Sequence, residues 1–363
     1  MPRLTIATTA TAVPMGAQAY ERHIVARAPA ALAALAALAP GGGPGNRPGE
    51  DWQVRHVVAR SLRSPLPGTL RLPMGWLGGA SPRARAVAGR LAYARGGLVH
   101  RMNLELPPAP REVVTLHDVV AWRYSDESAP VAAAAQELRR AAAVVCVSAF
   151  TAAEAVDLLG LTDPVVVPNG VEDRYFGAEP LGADALAGLG VEGPFVLTAG
   201  GASERKNLSA LAEAWPRVHA ARPDVTLVLA GPPHSRRTEL FGSLPGVRLV
   251  GRVTDDVLPR LYAAASVVVV PSLVEGFGLP ALEGMATGVP VVASDRSSLP
   301  EVVGDGGLLV EPTGVALAAG VLDVLAGGAD VEAMARRGLE RARRFTWEAS
   351  AEGHARVWRS VAD

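Results

Sequence analysis

The sequence predicts an α/β protein made of two doubly wound, Rossmann-like domains facing each other across a cleft. Three observations carry that expectation. The chain has 363 residues, more than one α/β core requires. Short β-branched runs bounded by breakers alternate with longer Ala-rich stretches, the pattern of buried parallel strands and their crossover helices. A second series of such runs starts after Gly177–Gly193, which is therefore the candidate linker.

In chain order, Leu4–Thr8 reads as the first strand, and Val113–Leu116, Val144–Val147 and Val165–Val167 as later strands of the same half. Val131–Ala142 and Thr151–Leu159 suit crossover helices, and Ala30–Ala39 the end of a helix. Gly41–Glu50 and much of Ser64–Ser81 are rich in Gly and Pro and read as surface loops. In the second half, Phe195–Ala199, Val225–Ala230, Val247–Val250, Val267–Val270 and Val291–Ala293 read as strands. Thr346–Ala362 reads as a final helix carrying Trp347 and Trp358. The expected domains are residues 1–180 and residues 190–345.

Composition narrows the function classes. Hydrophobic residues make up 49% and charged residues 20%, which excludes a disordered chain. The formal net charge of -1 gives no basic field for nucleic acid. The single cysteine, Cys146, lies in an apolar run and reads as a buried strand position. One cysteine and an N-terminus without a long apolar core fit a cytoplasmic protein, and a peripheral membrane contact is compatible with both.

Chemistry concentrates at strand ends. Val267–Val270 runs into Pro271, a loop with Gly276 and Gly278, and a helix in which Pro280 suits the first turn. Glycines there let backbone N–H groups approach an oxyanion, and the helix start favours negative charge. Glu275 lies in that loop, within reach of a sugar. Glu283 falls about one turn into the helix, where it could accept from ribose hydroxyls or serve as an ordinary first-turn acid. After Phe195–Ala199 come Gly200, Gly201, Arg205 and Lys206. Lys206 is the only lysine in the chain, all other basic side chains being arginine, so a compact ammonium is wanted there. Such a loop would neutralise a diphosphate leaving group. In the first half, Gly16 lies in the loop after the first strand, His117-Asp118 follows Val113–Leu116, and Asn169-Gly170 is a turn signal after Val165–Val167. The seven histidines are scattered and no Asp-x-Asp occurs, so no metal site is expected.

Together these segments resemble glycosyltransferase family 4, retaining enzymes of the two-domain GT-B fold. The similarity rests on Gly16, His117-Asp118, residues 147–151, residues 166–171, residues 203–208, residues 250–253 and the Glu-x7-Glu element from Glu275 to Glu283. It implies a nucleoside-diphosphate sugar as donor, no metal or other cofactor, and a sugar, lipid-linked or small-molecule acceptor. It also implies that the final helix, about residues 346–363, packs back onto the first domain, with Trp347 and Trp358 as packing between the domains. By the same resemblance Glu283 binds the ribose and Glu275 the hexose, with the backbone of Phe277, Gly278 and Leu279 near sugar and diphosphate. Arg205 and Lys206 face the diphosphate, Val253 the base and His117 the transferred sugar, while Gly16 lies near phosphates or acceptor. Asn169 belongs to the same set of contacts. Many family members carry an arginine five residues before the lysine, and here that position is Gly201. Residues 14–18 also depart from the family's Gly-Gly pair. His117-Asp118 followed by Trp122 and Tyr124 is similar to a subgroup that transfers mannose from GDP-mannose. A nucleotide-sugar epimerase, a sugar phosphorylase and a non-catalytic binding homologue share the fold and stay open as alternatives. A dinucleotide-dependent oxidoreductase does not fit, because no Gly-x-Gly-x-x-Gly follows the first strand.

Overall fold

The computed structural model describes residues 1–11, 16–37 and 52–362. The Gly41–Glu50 segment therefore lies outside the described residues. The chain divides into two compact units, one of residues Met1–Gly170 with Thr346–Asp363 and one of Val171–Phe345. The stretch Gly177–Gly193 belongs wholly to the second.

The first unit holds a seven-stranded sheet: β1 (Arg3–Thr9), β2 (Gln53–Ser61), β3 (Leu70–Leu72), β4 (Leu98–Arg101), β5 (Glu112–Leu116), β6 (Ala143–Cys146) and β7 (Val165–Val166). The order is β3-β2-β1-β4-β5-β6-β7, all parallel, so the winding reverses between β1 and β4. Both faces of β5 are buried, as expected for a strand covered by helices on two sides. Cys146 is fully buried on β6, and burial pushes its thiol up to about 12.

Several expectations are corrected here. Ser64–Ser81 is not simply loop: it contains β3 and the helix Met74–Gly79. Residues 131–142 hold only the short helix Ala134–Leu138, because the chain must return to sheet level, where Ala142 N donates to Glu112 O. Val165–Val167 is not a buried strand, since Val165 and Val166 are about 40% exposed on the sheet edge and only Val167 is covered. The helix Trp347–Ala362 packs on the helix Gly16–Ala37, and Trp347 and Trp358 sit with Leu4, Ile6, Tyr20 and Ile24 in the core of the first unit rather than between domains.

The second unit holds six parallel strands: β8 (Phe195–Ala199), β9 (Thr226–Ala230), β10 (Val247–Gly251), β11 (Val267–Val270), β12 (Val291–Ser294) and β13 (Leu308–Val310). Their order is β10-β9-β8-β11-β12-β13, so here the winding reverses between β8 and β11. Its core gathers Val196, Trp215, Leu227, Phe241, Val267 and Leu317. Among the described residues no single helix is long and apolar enough to cross a membrane.

Candidate functional site

In a doubly wound sheet the ligand crevice lies beyond the carboxyl ends of the strands at the reversal point. In the second unit those strands are β8 and β11, and the segments that follow them carry Arg205, Lys206 and Glu275. After β8 the chain passes Gly200 and Gly201 and makes a tight turn over Glu204–Lys206. Asn207 then adopts a left-handed conformation (φ 52°), which asparagine tolerates better than most side chains. Its Nδ2 donates to Pro271 O at 3.0 Å and Pro312 O at 2.9 Å, tying the cation turn to the loop after β11.

Glu275 is 5% exposed, and the two cations converge on it. Lys206 Nζ lies 2.7 Å from Oε1, Ser272 Oγ donates to the same oxygen at 2.8 Å, and Arg205 Nη1 lies 3.4 Å from Oε2. Burial pushes the carboxyl pKa up, but Lys206 and Arg205 outweigh it and hold the group below the usual carboxylate value. The backbone of Glu275 is fixed as well: its N donates to Ser297 Oγ at 3.0 Å, and Ser298 Oγ donates to its O at 2.9 Å.

Glu283 has the opposite environment. It lies on the helix Leu279–Ala286, past the first turn, so it is not a charge stabilised by the helix start. Burial pushes its pKa up to about 7, and the hydroxyls of Tyr262 and Tyr175 face it and offset part of that rise. The two rings meet edge to face, with centroids 5.7 Å apart. Tyr262 comes from the helix Val257–Ala264 and Tyr175 from a single turn over Asp173–Tyr175.

Between the two carboxylates in sequence, Phe277 is buried, and its ring meets Phe345 edge to face with centroids 5.6 Å apart. Gly278 has φ 103°, and a Cβ there would lie 2.9 Å from Leu299 Cδ2, so the entry to the helix requires glycine. Leu279 is the first helical residue, and Val253 lies in the loop beyond β10, the edge strand.

The remaining expected residues belong to the first unit. Gly16 is the first residue of the helix Gly16–Ala37, not part of the preceding loop, and residues 14 and 15 lie outside the described residues. His117 directly follows β5 and meets Tyr20 edge to face, with centroids 4.7 Å apart. Burial and then His354 push its pKa down to about 4, so the ring is neutral, and its Nε2 has no hydrogen-bond partner among the described residues. Behind it runs a hydrogen-bond chain of one direction. Trp358 Nε1 can only donate, so His100 Nδ1 accepts (3.0 Å) and Nε2 carries the proton toward Thr115 Oγ1 (2.9 Å). At the other end His354 Nδ1 must donate to Ser350 O (2.7 Å), so its Nε2 accepts from Tyr20 (2.6 Å), and Tyr20 accepts from Thr115 (2.8 Å). Asn169-Gly170 is not a turn: Gly170 is needed because a Cβ would lie 2.3 Å from Trp347 N, where the final helix begins.

The structure thus brings Arg205, Lys206 and Glu275 together and gives Glu283 a tyrosine-lined place of its own. Sequence reasoning gave no role to Asn207, Ser272, Tyr175 and Tyr262, although Asn207 lies in a segment that carries the resemblance; a polar residue next to a charged strand-end motif was the available signal for the first two. Among the described residues no group of three or more His, Cys, Asp or Glu could hold a metal.

A family model described as Glycosyl transferases group 1 matches residues 193–327. The chain is similar to the O-antigen chain mannosyltransferase B of Escherichia coli, with 52% identity over 103 residues, 28% of this chain and 27% of that protein. It is also similar to a phosphatidyl-myo-inositol mannosyltransferase of Mycobacterium leprae, with 34% identity over 209 residues, 55% of this chain and 54% of that protein. The chain spans about half or less of the length of these curated relatives. Among solved structures it is similar to a sucrose-phosphate synthase from Thermosynechococcus elongatus, with a TM-score of 0.74 and 25% identity over 99% of both chains.

Proposed function

We propose, for a chain of the GT-B fold with a family 4-like glycosyltransferase module, that it is a retaining enzyme moving a hexose from a nucleoside-diphosphate sugar to an acceptor hydroxyl. The observation that carries this is the convergence of Lys206 and Arg205 on Glu275 where the winding of the sheet reverses. The cations would neutralise the departing diphosphate as the sugar gains oxocarbenium character. Glu275 is assigned to the hexose and Glu283 to the ribose, whose vicinal hydroxyls donate to its carboxylate. The backbone of Phe277, Gly278 and Leu279 is assigned to sugar and diphosphate, and that of Val253 to the base. His117, neutral and with an unpartnered Nε2, is assigned a hydroxyl of the sugar. Gly16 and Asn169 are assigned to the acceptor side.

In the proposed step the bond from the anomeric carbon to the phosphate oxygen breaks and the acceptor oxygen bonds to that carbon from the same face. The acceptor proton passes to a donor phosphate oxygen, so the products are the glycoside and a nucleoside diphosphate. Neither a metal nor a covalent sugar–protein intermediate is part of this scheme. GDP-mannose is the favoured donor, supported by the mannosyltransferase names of two relatives and by the His117-Asp118, Trp122, Tyr124 pattern. The reaction is assigned to the cytoplasm, with a peripheral membrane contact where the acceptor is lipid-linked.

Thermal shift with GDP, UDP, dTDP and ADP tests the donor assignment, because a ligand of the native state raises stability with its affinity. One nucleotide should stabilise selectively, and Lys206→Ala should abolish most of that shift. An unchanged shift in Lys206→Ala would remove the diphosphate assignment, and a glycosyl adduct trapped on Glu275 would remove the proposed mechanism.

A further inference from the structure

Gly201 leaves the proposed diphosphate site without a cation from that position, yet a guanidinium reaches the same place from another strand. Arg237 lies on the short helix Ser235–Phe241, which follows β9, the neighbour of β8. Its side chain is 4% exposed. Nη2 donates to the carbonyls of Gly200, Ala230 (3.3 Å) and Gly201 (3.4 Å). Buried Nε has no partner, and among the described residues no carboxylate pairs with this arginine. It lines one pocket together with Thr198, Gly201, Lys206, Ser272 and Glu275.

We propose that Arg237 is a diphosphate-binding residue of the donor site, supplying from the β9 side the cation that position 201 does not. This rests on the donor assignment made above and extends it. Keeping an unpaired guanidinium buried is costly in a fold, and an anionic ligand is what would compensate it. Burial lowers the pKa of Arg237, with no acid contributing to raise it. Two strand-end glycines make the room. Gly231 has φ 140°, and a Cβ there would lie 2.6 Å from Arg237 Nη2 and 2.1 Å from Gly200 O. Gly200 has φ 139°, and Lys206 Nζ lies 3.9 Å from where its Cβ would be. Lys206 and Arg237 thus both approach the Gly200-Gly201 backbone. Arg205 and Lys206 pair with the carboxylate of Glu275, and Arg237 lines the same pocket without an acid of its own, an excess of positive charge that suits a diphosphate and grows in effect as the leaving group gains charge.

Calorimetry on the full chain tests this with GDP, UDP, dTDP and ADP and the matching monophosphates. For the base that the unaltered protein binds, Arg237→Ala should lower the ratio of diphosphate to monophosphate affinity about tenfold, the effect of one charge-assisted hydrogen bond. Gly201→Arg added to Arg237→Ala should recover most of that ratio, because nothing lies within 4 Å of a Cβ at position 201. If Arg237→Ala does not fold, Arg237→Gln removes the charge while retaining a donor, and the same loss is expected of it. A folded neutral variant with an unchanged ratio, or one that weakens diphosphate and monophosphate equally, overturns the inference alone. An unaltered protein that binds none of the four nucleoside diphosphates overturns the donor assignment and the inference with it.

Discussion

At the scale of residues, the two carboxylates of the Glu-x7-Glu element differ in charge state as well as in place. Glu275 is held ionised by Lys206 and Arg205, whereas burial pushes Glu283 up to about 7. A ribose donates hydroxyls to a carboxylate better than to a protonated acid, so affinity for the nucleotide should be full above that value and decline as pH falls through it. Tyr175 and Tyr262 do not titrate in this window, since burial and Glu283 raise both far above it. Calorimetric titrations between about pH 6 and about pH 8 should show one linked proton, and Glu283→Gln should flatten the profile while weakening binding. A profile that keeps its slope in Glu283→Gln would place the titrating group elsewhere. On the stability of the unliganded protein the sign reverses: the raised folded-state pKa favours the fold at low pH, and that contribution is lost as pH rises through about 7. How far the site can be seen in the sequence follows from the same residues. Lys206 stands out as a lone lysine and Glu275 as an acid in a glycine loop, both at strand ends. Arg237 is one of many arginines, and its environment is made by two glycines and three carbonyls from segments distant in sequence. No local pattern encodes that.

At the scale of elements, legibility depended on whether a strand's neighbours are apolar. Phe195–Ala199 and Val267–Val270 begin and end where their apolar runs and flanking Pro or Gly say. β4 did not stand out, because it carries His100 and Arg101, although all four of its residues are buried. Those polar side chains are held by distant partners, His100 by Trp358 and Thr115, and Arg101 through its two terminal nitrogens by Glu112 and Glu137. β2 escaped notice for a related reason: Arg55, His56 and Arg60 interrupt its alternation, and its outer neighbour β3 is only three residues long. The charges on these elements form one buried network. Glu137 binds Arg85 Nε at 2.6 Å through Oε1 and Arg101 Nη1 at 2.7 Å through Oε2, and Arg85 and Arg101 both donate to the carbonyl of Leu106. Removing one partner of a buried ion pair strands the other, at a cost of about 3–5 kcal/mol. Glu137→Ala should therefore destabilise the first unit by that order in chemical denaturation. A loss below about 1 kcal/mol, the level of an exposed pair, would mean that water or a neighbouring acid takes over its role.

At the scale of the whole molecule, the two units are built differently, and the difference bears on where the chemistry resides. The first needs two separate stretches of chain, since the final helix supplies Trp347, Ala351, Ala355 and Trp358 to its core. The second is one continuous stretch whose ends meet, Val171 N donating to Phe345 O at 2.9 Å. Among the described residues, its core cluster lies wholly within that stretch. Arg205, Lys206, Arg237, Glu275 and Glu283 all lie within it, as do the groups that position them: Asn207, Ser272, Tyr175, Tyr262 and the serines after β12. Residues 171–345 produced alone should therefore fold cooperatively and bind the nucleoside diphosphate selected by the full chain, with an affinity within about threefold of it, under 1 kcal/mol. The fragment should transfer no sugar, because His117, Gly16 and Asn169 are assigned to the other unit. Circular dichroism establishes folding and calorimetry reads the affinity. A fragment that folds but binds more than about tenfold more weakly, a difference of about 1.4 kcal/mol, would show that donor recognition takes essential contacts from the first unit.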